Sequence, residues 1–140
     1  MIRAVADTNL IISGLFWRGN PSLIYDAASK GVYVSLTTTD LIDELDRVLH
    51  YPKFAARLAA IGKTANSIIT NYRAITELVT PAEIPSDAVR DPKDLPVLAC
   101  AVGGKADFIV SGDNDLLVLA TYQNIAILSA AQFLERIDER

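Results

Sequence analysis

Cysteine and histidine are nearly absent from this chain, whose 140 residues include one of each, Cys100 and His50. A single cysteine excludes an internal disulfide, and the two residues together are too few for a cysteine-rich zinc site or a Cys/His nucleophilic pair close in sequence. This predicts a reducing, cytoplasmic setting. Long apolar runs are also missing. No stretch approaches the ~20 residues of a membrane span, and the opening MIRAVADTNLIIS is interrupted by Asp7, so it lacks the continuous apolar core of a signal peptide. Positive charge is in deficit, with 13 Lys and Arg against 17 Asp and Glu and a net charge of −4. That balance counts against a general nucleic-acid binder. The composition, 51% hydrophobic and 21% charged, is that of a globular protein and not of a disordered chain. The length suits one domain, residues 1–140, with a core of its own.

Short β-branched runs alternate with longer helical patterns, and turn residues separate them. Strands are expected at Ile2 to Ala6, Val32 to Leu36, Asp107 to Val110 and Ile125 to Leu128, with at most a very short one at Leu78-Val79. An apolar turn or short helix is expected from Leu10 to Phe16. Pro21 suits the first turn of a helix that Gly31 stops. Thr38, Thr39 and Asp40 are N-cap candidates for a helix through Leu49, and a short helix lies between Pro52 and Gly62. Further helical patterns cover Thr64 to Leu78, Asp94 to Gly103, Asn114 to Thr121 and Ala130 to Ile137. Such a βα series predicts an α/β fold of three layers, with helices on both faces of a doubly wound parallel sheet. Ligands bind beyond the carboxyl ends of the strands in that architecture, so the residues after the first and fourth strands matter most.

Carboxylates stand at those places. Asp7 follows the first strand directly, and Asp113 lies two residues past the strand ending near Ser111. Either could also be a helix cap. Asp94 heads a helix that is apolar on every face and so is expected to be buried, which points its first carboxylate into protein or a cleft, although an N-cap role explains it nearly as well. At about 100° per residue, Leu41, Ile42, Leu45, Val48 and Leu49 share one face of their helix. Asp40, Asp43 and Arg47 then face solvent. Glu44 and Asp46 flank the apolar stripe on opposite sides, and the angles do not choose between them. Converging carboxylates raise one another's pKa unless something neutralises them. Divalent cations do so, and all-oxygen ligands select hard ions such as Mg²⁺ or Mn²⁺, which support phosphodiester hydrolysis.

Taken together, Ala6-Asp7-Thr8-Asn9 with Ser13, Glu44 in Leu-Ile-Asp-Glu-Leu, Asp94 ahead of Leu-Ala-Cys-Ala, and Ser111-Gly112-Asp113-Asn114-Asp115-Leu116 resemble the PIN-domain nucleases in order and spacing. The chain is similar, more narrowly, to the VapC-like toxins of prokaryotic toxin–antitoxin systems. The resemblance implies a five-stranded parallel sheet in the order 3-2-1-4-5 and a metal-dependent endoribonuclease. It favours Glu44 over Asp46 and Asp94 over Asp91. Its implied metal ligands and catalytic residues are Asp7, Glu44, Asp94 and Asp113, with Mg²⁺ or Mn²⁺ as cofactor. Thr8, Asn9, Thr38 (or its neighbour Thr37) and Asp115 are expected to orient those carboxylates. An RNA substrate, a protein antitoxin partner and a homodimer follow from the same resemblance.

Between Asp46 and Glu77 there is no acid, while Arg47, Lys53, Arg57, Lys63 and Arg73 supply five positive charges. This segment is a candidate phosphate-binding wall, or else a solvated helical face. Trp17 is expected to pack under its own loop, His50 to sit at a helix end near the dipole, and Cys100 to be core. Two other function classes remain in view. One is a PIN-like module that binds RNA or protein without cutting. The other is a phosphoryl-transfer fold with an Asp after its first strand, against which Asp7-Thr8-Asn9 lacks the second Asp such phosphatases use.

Overall fold

The computed structural model describes residues 1–138. In chain order it comprises β1 (Arg3–Ala6), α1 (Thr8–Phe16), α2 (Asn20–Ser29), β2 (Val34–Thr37), α3 (Thr39–Leu49), α4 (Ala55–Ala60), α5 (Ala65–Ile75) and β3 (Thr76–Leu78). It continues with α6 (Leu95–Gly103), β4 (Phe108–Val110), α7 (Asn114–Leu117), β5 (Thr121–Tyr122), β6 (Ile125–Leu128) and α8 (Ala130–Asp138). Single 3-10 turns at Pro52–Phe54 and Pro92–Asp94 precede α4 and α6. One sheet runs in the order β3-β2-β1-β4-β6-β5, and its first five strands are parallel. Winding reverses at β1, which pairs with β2 on one side and β4 on the other.

Alternating side chains feed two cores, because successive residues of a strand face opposite sides of the sheet. Ala4, Ala6, Phe108 and Val110 join α1, α2, α5, α8 and most of α3's apolar stripe. Val5, Leu36, Ile109, Ile125 and Ile127 face the other way, onto α6 and α7. The uniformly apolar α6 is buried as expected, with Leu98, Cys100 and Ala101 fully covered. Gly14 lets α1 and α2 approach closely, since a Cβ there would lie 2.6 Å from the Pro21 carbonyl oxygen.

Two expectations need correction. The sheet has six strands and not five, because the helix expected over Asn114 to Thr121 stops at Leu117. Ala120 turns into the left-handed region (φ 63°), and Gln123 (φ 47°) and Asn124 (φ 67°) then form a two-residue hairpin that pairs β5 antiparallel to β6. Two consecutive left-handed residues match the right-handed twist of the flanking strands. The helical pattern from Thr64 is likewise cut short at Ile75, and Thr76–Leu78 becomes the edge strand beside β2. Tertiary partners decide this. Arg3 holds Glu77 at 2.6 Å, and the Val79 N–H reaches the Thr37 carbonyl at 2.9 Å.

Candidate metal centre

The Asp7 N–H still donates to the Val110 carbonyl (3.1 Å), so Asp7 continues the β1–β4 pairing by one residue. Its extended backbone makes it the N-cap of α1, and its Oδ1 accepts from the Leu10 N–H at 2.8 Å. Its Oδ2 accepts a hydrogen bond from the Ser111 hydroxyl. The same Ser111 oxygen accepts from the Asp113 N–H at 2.9 Å. Ser111 thus joins the carboxyl ends of the two central strands. Asp113 caps α7 by accepting from the Asp115 N–H (2.9 Å). The cap and cleft readings of both aspartates therefore coexist.

Glu44 projects from α3, where the Thr8 hydroxyl donates to its Oε2 at 2.8 Å. Asp46 lies on the other flank of the helix, beside His50 at 3.5 Å. Asp94 ends the 3-10 turn that Asp91 opens, and Asp91 accepts from the Lys93 N–H at 3.0 Å. Asp94 is 6% exposed, and with its carboxyl ionised the buried Oδ2 has no hydrogen-bond donor. Carboxylate oxygens of Asp91, Asp94 and Asp113 lie within 4.8 Å of one another. Asp7, Thr8, Asn9 and Glu44 line the same pocket, of about 200 Å³.

Charge crowding follows from this geometry. Burial pushes the Asp94 carboxyl up to about 7, a hydrogen bond from its protonated form to Asp113 pushes the same way, and the negative charges of Asp113, Asp91 and Asp7 add to both. Burial also raises Asp7, against the hydrogen bonds from Ser111 and Leu10 that favour its charged form. A proton or a cation must offset this charge.

Of the residues singled out from the sequence, the fold brings Asp7, Glu44, Asp94 and Asp113 into this pocket with Thr8 and Asn9. Thr38 is not among them, because its hydroxyl is committed to capping α3, accepting from the Leu41 N–H at 3.2 Å. Asp115 lines an adjoining bay and faces Arg90 at 3.7 Å. The basic segment is divided. Arg47 and Lys53 line a second adjoining bay, and Arg57 stacks 4.2 Å from the centroid of the Trp17 ring, which is exposed and not packed under its loop. Lys63 and Arg73 lie in the turn after α4 and the last turn of α5. The resemblance set Asp91 aside in favour of Asp94, and Lys93 and Ser111 were given no role from the sequence. The signal for Asp91 and Lys93 was the Asp91-Pro92 pair, which opens a turn whose residues line the pocket with Asp94.

A family model described as PIN domain matches residues 3–115. The chain belongs to the PIN-domain family. PIN domains are generally nucleases and typically use divalent metals, and an acidic cluster of that kind is present here. Among solved structures, this PIN domain is similar to PAE2754 from Pyrobaculum aerophilum, with a TM-score of 0.60 and 14% identity over 99% of this chain and 91% of that one. At that identity the likeness is one of fold. No curated protein matches the chain. Among the described residues of this PIN domain, no helix is long and apolar enough to cross a membrane.

Proposed function

We propose that the chain is a metal-dependent endoribonuclease that hydrolyses RNA phosphodiester bonds. The observation that carries this reading is the buried, unpartnered Asp94 Oδ2 in a pocket with four other carboxylates. Such an arrangement is costly by itself and favourable around a cation. The donors are all oxygen, which fits Mg²⁺ or Mn²⁺. Asp91, Asp94 and Asp113 are close enough to share an ion, with Asp7 and Glu44 beside them. When bound, the metal supplies a Lewis acid and a water of lowered pKa, the nucleophile for phosphodiester hydrolysis. The chain's own residues prepare the site. Ser111 and the Leu10 N–H fix both oxygens of Asp7, Thr8 fixes Glu44, and Asn9 lines the pocket beside them.

The resemblance to VapC-like proteins extends this proposal to a toxin acting in the cytoplasm as a homodimer of single-domain chains, residues 1–140, held in check by a protein antitoxin. The test is cleavage of a fluorescent single-stranded RNA by the wild type, with Mg²⁺ or Mn²⁺ and with chelator, and by Asp94→Asn. Cleavage by the wild type with metal, and by neither control, is expected. Cleavage that persists in chelator or in the variant sinks the reading, and binding without cleavage makes the chain a non-catalytic module. Growth arrest on expression, relieved by a co-expressed neighbouring small protein, is expected of the toxin role.

A further inference from the structure

Two open bays adjoin the acid pocket. One, of about 640 Å³, meets it at Asp7 and Asp113 and is lined also by Asp115 and by uncharged polar residues such as Ser13, Asn114 and Ser129. The other, of about 580 Å³, meets it at Glu44 and Lys93 and contains Arg47, Tyr51 and Lys53. Asn9 lines both bays and the pocket between them. A continuous cleft of this form suits a chain that passes the metal centre and continues beyond it.

Lys93 stands where the pocket meets the second bay, and among the described residues it is the single cation lining the acid pocket. Its backbone is fixed, because Pro92 precedes it and Asp91 accepts its N–H. Its side chain is exposed, and among the described residues its ammonium has no carboxylate within ion-pairing distance. An ammonium beside five carboxylates but paired with none of them is available to an anion. The bay itself is balanced, with Asp40, Asp43 and Glu44 against Arg47, Lys53 and Lys93. Tyr51, 41% exposed, lines the same bay as Lys93. Aromatic rings beside cations bind unpaired bases by stacking, largely without regard to sequence.

We propose that Lys93 and Tyr51 form a subsite for the nucleotide next to the scissile bond of a single-stranded RNA, Lys93 binding its phosphate and Tyr51 stacking on its base. This rests on the nuclease reading and specifies its substrate as an unpaired strand that extends past the cut. Binding is measured separately from cutting. In the Asp94→Asn background, fluorescence anisotropy follows a fluorescein-labelled single-stranded RNA of about 12 nucleotides across a salt series. Adding Lys93→Ala should weaken binding several-fold and reduce the slope of log affinity against log salt by about 0.7, the value for one phosphate contact to a single strand. Lys93→Arg should retain the slope. Tyr51→Ala should weaken binding about tenfold at unchanged slope. It should matter less for a duplex of the same sequence, whose bases are already stacked.

Mg²⁺ calorimetry on Lys93→Ala alone should show binding no weaker than in the wild type, since a positive charge has left a cation site. Weaker Mg²⁺ binding would mean that the turn had collapsed, and it overturns the assignment. Unchanged RNA affinity and salt slope in Lys93→Ala also overturn it. If wild type cuts RNA and Lys93→Ala cuts it with unaltered KM, the subsite fails while the nuclease stands. If wild type cuts nothing, the nuclease reading fails, whatever the binding series shows.

Discussion

Asp7 has two structural tasks, one for each carboxylate oxygen: it caps α1 through Leu10, and it receives the Ser111 hydroxyl that joins β1 to β4. Asn caps a helix about as well as Asp, whereas Ala does not. Asp7→Asn is therefore expected to keep its thermal midpoint in chelator while losing RNA cleavage, and Asp7→Ala to lose both, with a stability cost of about 1 kcal/mol for the missing cap. A loss of stability in Asp7→Asn equal to that in Asp7→Ala would make the residue a purely structural one. Asp94 gives a prediction in pH. Its folded carboxyl titrates at about 7 against an ordinary 3.8, so the native state holds a proton that the unfolded chain has already released. Metal-free stability should fall as pH rises from about 4 to about 7. Asp7, raised in the same direction, adds to the slope. A series of thermal midpoints in chelator should show this descent, and Asp94→Asn should flatten it. An equal slope in the variant would show that Asp94 is not the group being held protonated. Ser111 illustrates what a sequence conceals at this scale, since its partner Asp7 is 104 positions away.

Helix α3 shows how much of an element can be read from spacing. The apolar stripe of Leu41, Ile42, Leu45 and Leu49 is buried and Asp40, Asp43 and Arg47 are exposed, as the 100° rotation requires. The same rotation leaves Glu44 and Asp46 on opposite flanks. Only the position of α1, which brings Thr8 to Glu44, determines which flank meets the acid pocket. The β5–β6 hairpin is the opposite case. Tyr122-Gln123-Asn124-Ile125 carries no Asn-Gly or Asp-Gly signal, yet Gln123 and Asn124 both adopt left-handed backbone angles. A two-residue strand is held by its partner and not by its own propensity. Replacing the pair as Gln123→Asn with Asn124→Gly is expected to raise stability by about 1 kcal/mol, because both residues then suit the turn. Chemical denaturation at neutral pH measures this, and a destabilised variant would argue against the hairpin geometry.

At the scale of the molecule, an acidic chain holds five carboxylates in one pocket, and a ligand bound only by the native state raises its stability by mass action. Mg²⁺ at about 100 times its dissociation constant should stabilise the protein by about 2.7 kcal/mol. A thermal midpoint indifferent to Mg²⁺ and Mn²⁺ would remove the metal centre from the account, and Asp94→Asn should lose most of the shift. The βα alternation, the buried character of α6 and the placement of acids just after β1 and β4 were determined by the sequence, because periodicity and helix caps are local properties. The edge hairpin and β3 were decided by the tertiary structure, which overrides weak local preference with cross-strand hydrogen bonds and the Arg3–Glu77 pair. The tertiary structure also decided that Asp91 joins Asp94 and Asp113, and that Lys93 borders the pocket between two aspartates of its own turn. The physical reason is that convergence in space depends on how elements pack, whereas sequence spacing fixes only which side of its own element each residue occupies.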